Sequence, residues 1–301
     1  MSNLPLPAAA PNPPALAPTP TAHEPAGPDS NCFSAEASAQ MERLVADFGR
    51  MYQERNDALN EVARAHHDAL LRLSRAAEFR DDDTGVHIVR IGYLAWALAL
   101  HLGQPAPWAL LLRQAAPMHD VGKIGMPDGV LKKPGAFTPE ERAVMNRHPQ
   151  IGAEILGRSR IPLFQLAAEA ALTHHERWDG RGYPAGLAGD AIPLSGRIVA
   201  VVDFFDALTM DRCYRPAYTD DRALRMLGAQ RGLAFDPHIV DVFMAHAQAL
   251  IELRERVNSG DLGMAELSGP DGPTGLTQPQ TRPQALTLTL AVAASQMESH
   301  A

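Results

Sequence analysis

The feature that most constrains the fold is a stretch without proline, from Ser38 to Arg80, in which apolar residues recur at alternating steps of three and four. That spacing places them on one face of an α-helix, so we predict one long helix over residues 37–80. The face consists of Val45, Phe48, Tyr52, Arg55, Leu59, Val62, His66, Ala69, Leu73 and Ala76. The pattern favours a coiled-coil stalk that forms a homodimer through residues 38–78, and a helix folded back on its own domain is the alternative.

Both ends of the chain have the composition of segments that form no core. Residues 1–30 hold nine prolines, mostly among alanines and threonines, and the region after Asn258 is rich in Gly, Pro, Thr and Gln. Such segments bury too little apolar surface to offset the entropy that is lost when a chain becomes ordered. We therefore expect a disordered arm over residues 1–36 and a largely disordered tail over residues 257–301.

Helix start and stop signals follow one another through the middle of the chain. Thr138, Pro139 and Glu141 form a capping box, and Pro117 is expected to loosen the last turn of its helix. The segment GRIVAVVDFFDALT is helical by its pattern, although its β-branched residues leave a strand open. The expected helices cover residues 84–102, 108–119, 139–148, 149–159, 163–174, 196–209 and 237–257. No alternating strand pattern recurs, so we predict an all-α bundle preceded by the long helix.

Charge and cysteine content narrow the possible functions. A net charge of −8 and a pI near 5.8 argue against binding to a nucleic-acid duplex, but not against a small anionic substrate. Cys32 and Cys213 are far apart and predict no disulfide framework, which fits a cytoplasmic protein. The most apolar run, IGYLAWALAL, is too short to span a bilayer, so we expect no membrane insertion.

A set of histidines and aspartates provides candidate metal ligands, most of them near the start or end of an expected helix. Helix ends can converge on one point in a bundle, so residues that are distant in sequence can form one site. Imidazoles and carboxylates without a thiolate suit Fe, Mn or Zn. Two such metals would clamp the oxygens of a phosphoryl group and activate water. The candidates are Asp83, His87, His119, Asp120, His148, His174, His175 and Asp203.

Each candidate taken alone also has a structural explanation. Asp83 could be the N-cap of the next helix, and the pair His174 and His175 could be cations at a helix C-terminus. Asp203 and Asp206 share a helical face and could pair with arginines. The sequence around these residues favours a shared metal site over the separate structural explanations.

That surrounding sequence resembles the HD-GYP family over residues 70–256. The segments that carry the resemblance occur in the family's order: RDDDTGVH, HDVGKIGMPDGVLKKPGAFTPEE, MNRHPQIGAEIL, HHERWDGRGYPAGLAGDAIPLSGRIVAVVDFFDALTMDRCYR and FDPH. The HD pair at 119–120 and the GYP tripeptide at 182–184 are intact. The resemblance implies an all-helical phosphodiesterase that hydrolyses cyclic di-GMP to pGpG and often on to GMP, with two or three non-haem metals, usually Fe or Mn.

The resemblance also assigns ligands to individual metals. It implies that His87, His119, Asp120 and Asp203 bind the first metal, and that Asp120 bridges to a second metal held by His148, His174 and His175. Asp83 stands where the family usually has the glutamate that serves a third metal in some members. Because aspartate is one methylene shorter, we expect a binuclear site.

The residues on the substrate side follow from the same resemblance. Lys123 would stabilise charge at the scissile phosphate and act in catalysis together with Asp120. Tyr183 would contact a guanine or a phosphate, and Arg212 and Arg215 would bind the phosphates or bases. Asp206 would orient a ligand or a water molecule. Cys213 replaces the usual proline of the loop that carries these arginines, which should loosen that loop.

Two rival functions stay open at this point. One is a related hydrolase, either a cyclic GMP-AMP phosphodiesterase or another nucleotide phosphohydrolase, because pocket selectivity is not readable from sequence. The other is a non-catalytic cyclic di-GMP sensor or adaptor that binds partner proteins through the face formed by the GYP tripeptide. A sensor should lack ligands, whereas this sequence has the full set of candidates.

Overall fold

A computed structural model describes residues 30–80, 85–211 and 216–267 of the chain, and these residues form helices and loops without a strand. The first helices are α1 (Ser30–Arg80), α2 (His87–His101), α3 (Ala106–Ala115), α4 (Asp128–Leu131), α5 (Pro139–Met145) and α6 (His148–Leu156). They are followed by α7 (Pro162–Thr173), α8 (Leu194–Leu208), α9 (Asp220–Ala229), α10 (Pro237–Ala245), α11 (Ala247–Asn258) and α12 (Met264–Leu267). The all-α prediction is confirmed. None of the helices in the described ranges is long and apolar enough to cross a membrane.

The chain divides into two compact units, residues 1–60 and 61–301. The described part of the first unit is helical and belongs to α1. Its apolar face is open to solvent, with relative exposures of 63% for Val45, 61% for Phe48, 61% for Tyr52 and 58% for Leu59. The long predicted helix is therefore present, and its apolar seam is uncovered over this unit.

In the second unit α1 buries a face that is different from the predicted seam. His67, Leu71, Ser74 and Glu78 are buried there, whereas the seam residue Leu73 stays 37% exposed. The ring of His67 lies 3.1 Å from the carbonyl oxygen of Gln114, measured from Nε2. The spacing of the buried residues is that of a helix face, so α1 contributes one stripe to the core and leaves another outside.

Helix α2 forms the centre of the core of the second unit. All its residues from His87 to Ala99 are buried, and it packs against α3, α8 and α11. Helix α7 joins the same core through its contacts with α3, α6 and α8. A helix that is apolar on every side must lie inside a domain, which explains the run IGYLAWALAL that is too short for a membrane span.

Local signals locate most of the helices correctly. The capping box at Thr138 and Glu141 begins α5, and Pro117 lies in a 3₁₀ turn at Ala116–Met118 that ends the helix before it. Helix α8 shows that the strand alternative for GRIVAVVDFFDALT is wrong. Helix α2 begins at His87, whereas the predicted caps at residues 83 and 84 lie outside the described residues.

The C-terminal helix prediction needs a correction. The single helix expected from residue 237 to 257 is two helices, α10 and α11, which meet at His246. His246 leaves helical geometry with φ −115° and ψ 16°, and its ring stacks on His101 with centroids 3.7 Å apart. A tertiary contact thus lies at the point where a locally helical pattern is interrupted. Helix α9 was not predicted either.

Candidate metal centre

Helix ends bring seven of the eight candidate ligands together in two groups. The first group is His87, His119 and Asp203, and the second is Asp120, His148, His174 and His175; within each group the ligand atoms lie within 4.8 Å of one another. His87 is the first residue of α2, His148 is the first residue of α6, and His174 follows the last residue of α7. Asp203 lies inside α8. The eighth candidate, Asp83, lies outside the described residues.

Asp203 holds the first group together. Its Oδ1 lies 3.4 Å from Nε2 of His87 and 3.8 Å from Nε2 of His119. The side chain of Asp203 is 23% exposed, whereas that of His119 is fully buried. Two imidazoles and one carboxylate therefore face the same point, with the carboxylate on its more open side.

Asp120 is the centre of the second group and also reaches the first. Its Oδ1 lies 3.2 Å from Nε2 of His148 and 3.6 Å from Nε2 of His174. Its Oδ2 lies 3.4 Å from Nε2 of His119. One carboxylate therefore contacts histidines of both groups, as expected for a residue that bridges two metals.

Main-chain carbonyl groups fix the orientation of three of these histidines. The Nδ1 atoms of His119, His148 and His174 lie 3.0, 2.7 and 2.9 Å from the carbonyl oxygens of the residue three positions before each of them. If Nδ1 carries the proton and donates to the carbonyl, Nε2 is left with its lone pair directed at the centre. Within the described part of the chain, these three Nε2 atoms are buried and accept or donate no hydrogen bond.

This arrangement meets the requirements of a metal site. Buried polar atoms that lack a partner are costly, and a bound cation would satisfy all three Nε2 atoms together with Oδ1 of Asp120, which is also buried without a hydrogen bond among the described residues. Imidazole and carboxylate donors suit first-row divalent metals. The cluster therefore fits metal ions on the evidence of its own donors.

The pKa values of the histidines shift in different directions in the two groups. Burial opposes protonation of His87, but hydrogen bonds to Asp203 and Asp206 outweigh it and raise the pKa of His87 well above its usual value. Burial instead lowers the pKa of His174, and it lowers that of His175 further, with the charge of neighbouring histidines adding to the effect. His174 and His175 thus present neutral imidazoles, the form that binds a metal.

A buried ion pair between Asp206 and Arg90 contacts His87. Asp206 is fully buried, and its Oδ2 lies 2.7 Å from Nδ1 of His87. Arg90 donates to the same carboxylate from Nε at 2.7 Å and from Nη2 at 3.0 Å. Burial raises the pKa of Asp206, but His87 and Arg90 outweigh it and lower the pKa, so the carboxylate stays charged and holds the imidazole in one orientation.

The predicted substrate residues lie partly at this centre. Nζ of Lys123 lies 2.9 Å from Oδ2 of Asp120. The ring of Tyr183 lies 4.8 Å from the ring of His175, between centroids. Burial, together with the charge of Asp120, raises the pKa of Tyr183, so the phenol keeps its proton and can donate a hydrogen bond. Arg212 and Arg215 lie outside the described residues.

Sequence analysis missed two residues at the centre. Arg90 follows His87 by three positions on α2, and residues at that spacing share a helix face, so a signal for it was present. Glu78 is buried at the end of α1, with Oε1 3.9 Å from Nε2 of His87. No spacing rule connects Glu78 to the ligands, because its position depends on how α1 packs.

The geometry agrees with a comparison against protein-family models, in which residues 54–239 match the HD domain. The chain belongs to the HD domain family. Both ligand groups and Lys123 lie inside the matched range of this HD domain, and the match confirms the family resemblance that was drawn from the sequence.

Relatives of this HD domain protein are named for cyclic-dinucleotide hydrolysis. The chain is 49% identical over 187 residues to the cyclic di-GMP phosphodiesterase response regulator RpfG of Xanthomonas campestris, covering 62% of this chain and 50% of the relative. A cyclic di-GMP phosphodiesterase of Vibrio cholerae is 44% identical over 207 residues, covering 64% and 42%. The 3′3′-cGAMP-specific phosphodiesterase 2 of Vibrio cholerae is 42% identical over 187 residues, covering 62% and 36%. The chain thus spans half or less of the length of these relatives.

Proposed function

We propose that residues 70–256 form a metal-dependent phosphodiesterase that hydrolyses cyclic di-GMP to pGpG, to GMP or to both. The observation that carries this proposal is the position of Asp120, whose two oxygens face histidines of both ligand groups. Two adjacent metal sites with a shared carboxylate suit phosphodiester hydrolysis. Relatives that are 49% and 44% identical and are named cyclic di-GMP phosphodiesterases support the substrate.

The metal ligands are part of the proposal. His87, His119, Asp120 and Asp203 would hold one ion, and Asp120 with His148, His174 and His175 would hold a second. The donor set, without a thiolate, suits iron, manganese or zinc, and the family resemblance implies iron or manganese; Asp83 is the candidate ligand for a third ion. When bound, such ions supply Lewis-acid polarisation of a phosphoryl oxygen and a lowered pKa for water.

The protein's own side chains perform the remaining tasks. Lys123 provides a positive charge beside Asp120, where it stabilises negative charge that develops on the phosphate. Tyr183 donates a hydrogen bond to a guanine or a phosphate, and Arg212 and Arg215 bind the phosphates or bases. Asp206 keeps the imidazole of His87 in its ligand orientation.

Anaerobic turnover of cyclic di-GMP, with the metal content of the same sample measured, tests the proposal directly. We expect the double variant His119→Ala with Asp120→Ala to lose turnover and bound metal while it keeps its helical circular dichroism. A matched control is His238→Ala with Asp241→Ala, which removes an exposed histidine and an exposed aspartate from α10. Turnover at the parent rate by the first double variant would refute the assignment.

A cyclic GMP-AMP phosphodiesterase is the second candidate, and the relative that is 42% identical and named for that substrate favours it. Turnover of both cyclic dinucleotides at equal concentration, measured in parallel, separates the two enzymes, and further nucleotides can be added to the same assay. A sensor or adaptor that binds partner proteins through its GYP face predicts neither turnover nor metal after anaerobic reconstitution with Fe and with Mn.

We also propose that α1 pairs with α1 of a second copy in a homodimer, in a protein that resides in the cytoplasm. The predicted seam is exposed from Val45 to Leu73, so an apolar stripe that only Arg55 and His66 interrupt is available for a coiled coil. We expect a dimer in light scattering and a monomer after Phe48→Glu with Leu59→Glu. Glu42→Gln, at an exposed polar position of the same helix, is the control, and a monomeric parent protein would contradict the pairing.

A further inference from the structure

The loop that carries Tyr183 is fastened to the residue that follows the two ligand histidines. Glu176 is 4% exposed and comes directly after His175. The backbone N–H of Ala185 donates to its Oε1 at 2.7 Å, and that of Leu187 donates to its Oε2 at 2.9 Å. One buried carboxylate therefore satisfies two amides of the loop, and hydrogen bonds to a charged acceptor are the stronger kind.

The same loop touches the main chain of residues 175–177 at two further points. The N–H of Tyr183 donates to the carbonyl oxygen of His175 at 3.2 Å. A Cβ atom on Gly182 would lie 2.3 Å from the nitrogen of Arg177 and 2.5 Å from Cα of Glu176, so only glycine fits there. The segment before the loop is also fixed, because Trp178 and Asp179 donate to the carbonyl groups of Ala234 and Leu233.

We propose that Glu176 is a positioning residue that holds the Tyr183 loop against the second ligand group, so that this substrate-contacting loop and the ligand histidines form one rigid unit. Both contacts of the Glu176 carboxylate lie after Tyr183 in the chain, whereas its own backbone follows His175. The carboxylate therefore closes a ring of chain that begins directly after His175 and contains Tyr183. The role in substrate binding rests on the proposed function, but the role in loop position does not.

Glu176→Gln is the sharpest test, because glutamine has the same size as glutamate but only one acceptor oxygen. One of the two amides then lacks its acceptor, and we expect KM for cyclic di-GMP to rise about tenfold while kcat and bound metal change little. Trypsin cleavage after the exposed Arg181 should become about tenfold faster, because loop opening becomes more frequent by the same factor. Glu169→Gln is the matched control, since Glu169 accepts from Ser195 on α8 and does not contact the loop.

The outcomes distinguish a role of Glu176 in loop position from a role at the metal centre and from a role in fold stability alone. Unchanged KM and unchanged cleavage at Arg181 would overturn the inference, and so would a loss of metal equal to the loss of activity, because Glu176 would then act on the metal centre. If the glutamine variant does not fold, Glu176→Asp keeps the charge but is too short to reach both amides; failure of both to fold would assign Glu176 to fold stability alone. If the parent protein hydrolyses no cyclic dinucleotide, the proposed function fails, and the trypsin experiment still decides the position of the loop.

Discussion

The first ligand group contains a histidine that is oriented by a side chain, whereas two histidines of the second group are oriented by the main chain. In the first group, His87 is held by the side chain of Asp206, which Arg90 holds in turn. In the second group, His148 and His174 are held by main-chain carbonyl groups of the turns that precede them. A side-chain orienter can be removed by one substitution, whereas a main-chain orienter changes only when the backbone of its helix end moves. The first group should therefore be sensitive to charge, and the second to packing.

The largest effect should come from Asp120, the residue that joins the groups. We expect Asp120→Ala to lose both metals and more than about 100-fold in turnover, because the loss of a ligand exceeds the loss of a residue that only orients one. Asp203→Ala should lose the metal of the first group and retain that of the second. Metal content per chain after anaerobic reconstitution distinguishes the two variants, and equal metal loss in both would show that the groups are not separate sites.

The packing of the second group can be tested at Gly122. A Cβ atom there would lie 1.9 Å from the carbonyl oxygen of His148 and 2.5 Å from the nitrogen of Gly152, so Gly122→Ala must push α6 away from Asp120. We expect the free energy of unfolding to fall by about 3 kcal/mol, as in overpacked cores, and the metal of the second group to be lost first. Urea unfolding and metal analysis provide the two measurements.

Gly129 provides the control for this experiment. It lies on α4, and a Cβ atom added to it would meet nothing within 4 Å. Gly129→Ala should therefore leave both metals in place and keep the unfolding transition at or slightly above that of the parent protein. If Gly122→Ala behaved in the same way, the close approach of α6 to the turn at Val121–Gly125 would not be what positions His148.

The comparison also explains which features the sequence could predict. The capping box at Thr138 and the break at Pro117 are local, so residue types at fixed spacing were sufficient. The ligands of the second group were recognisable because they belong to short sequence motifs at helix ends. The sequence allowed Asp206 to pair with an arginine, and the structure identifies Arg90. The choice of Arg90 and the junction at His246 were not predicted, because each involves contacts between helices that are distant in sequence.

The smallest of the three effects should appear at the side-chain orienter of the first group. Asp206→Asn keeps the shape but removes the charge that holds His87, so metal affinity of the first group should fall by about 10- to 100-fold. The second group should bind as before, because His148 and His174 are oriented by main-chain carbonyl groups. Competition with a chelator measures both affinities, and Asp221→Asn, at an exposed position of α9, controls for the lost charge. If Asp206→Asn weakened metal binding equally in both groups, the ion pair of Asp206 would support the whole centre. The first group would then not differ from the second in its sensitivity to charge.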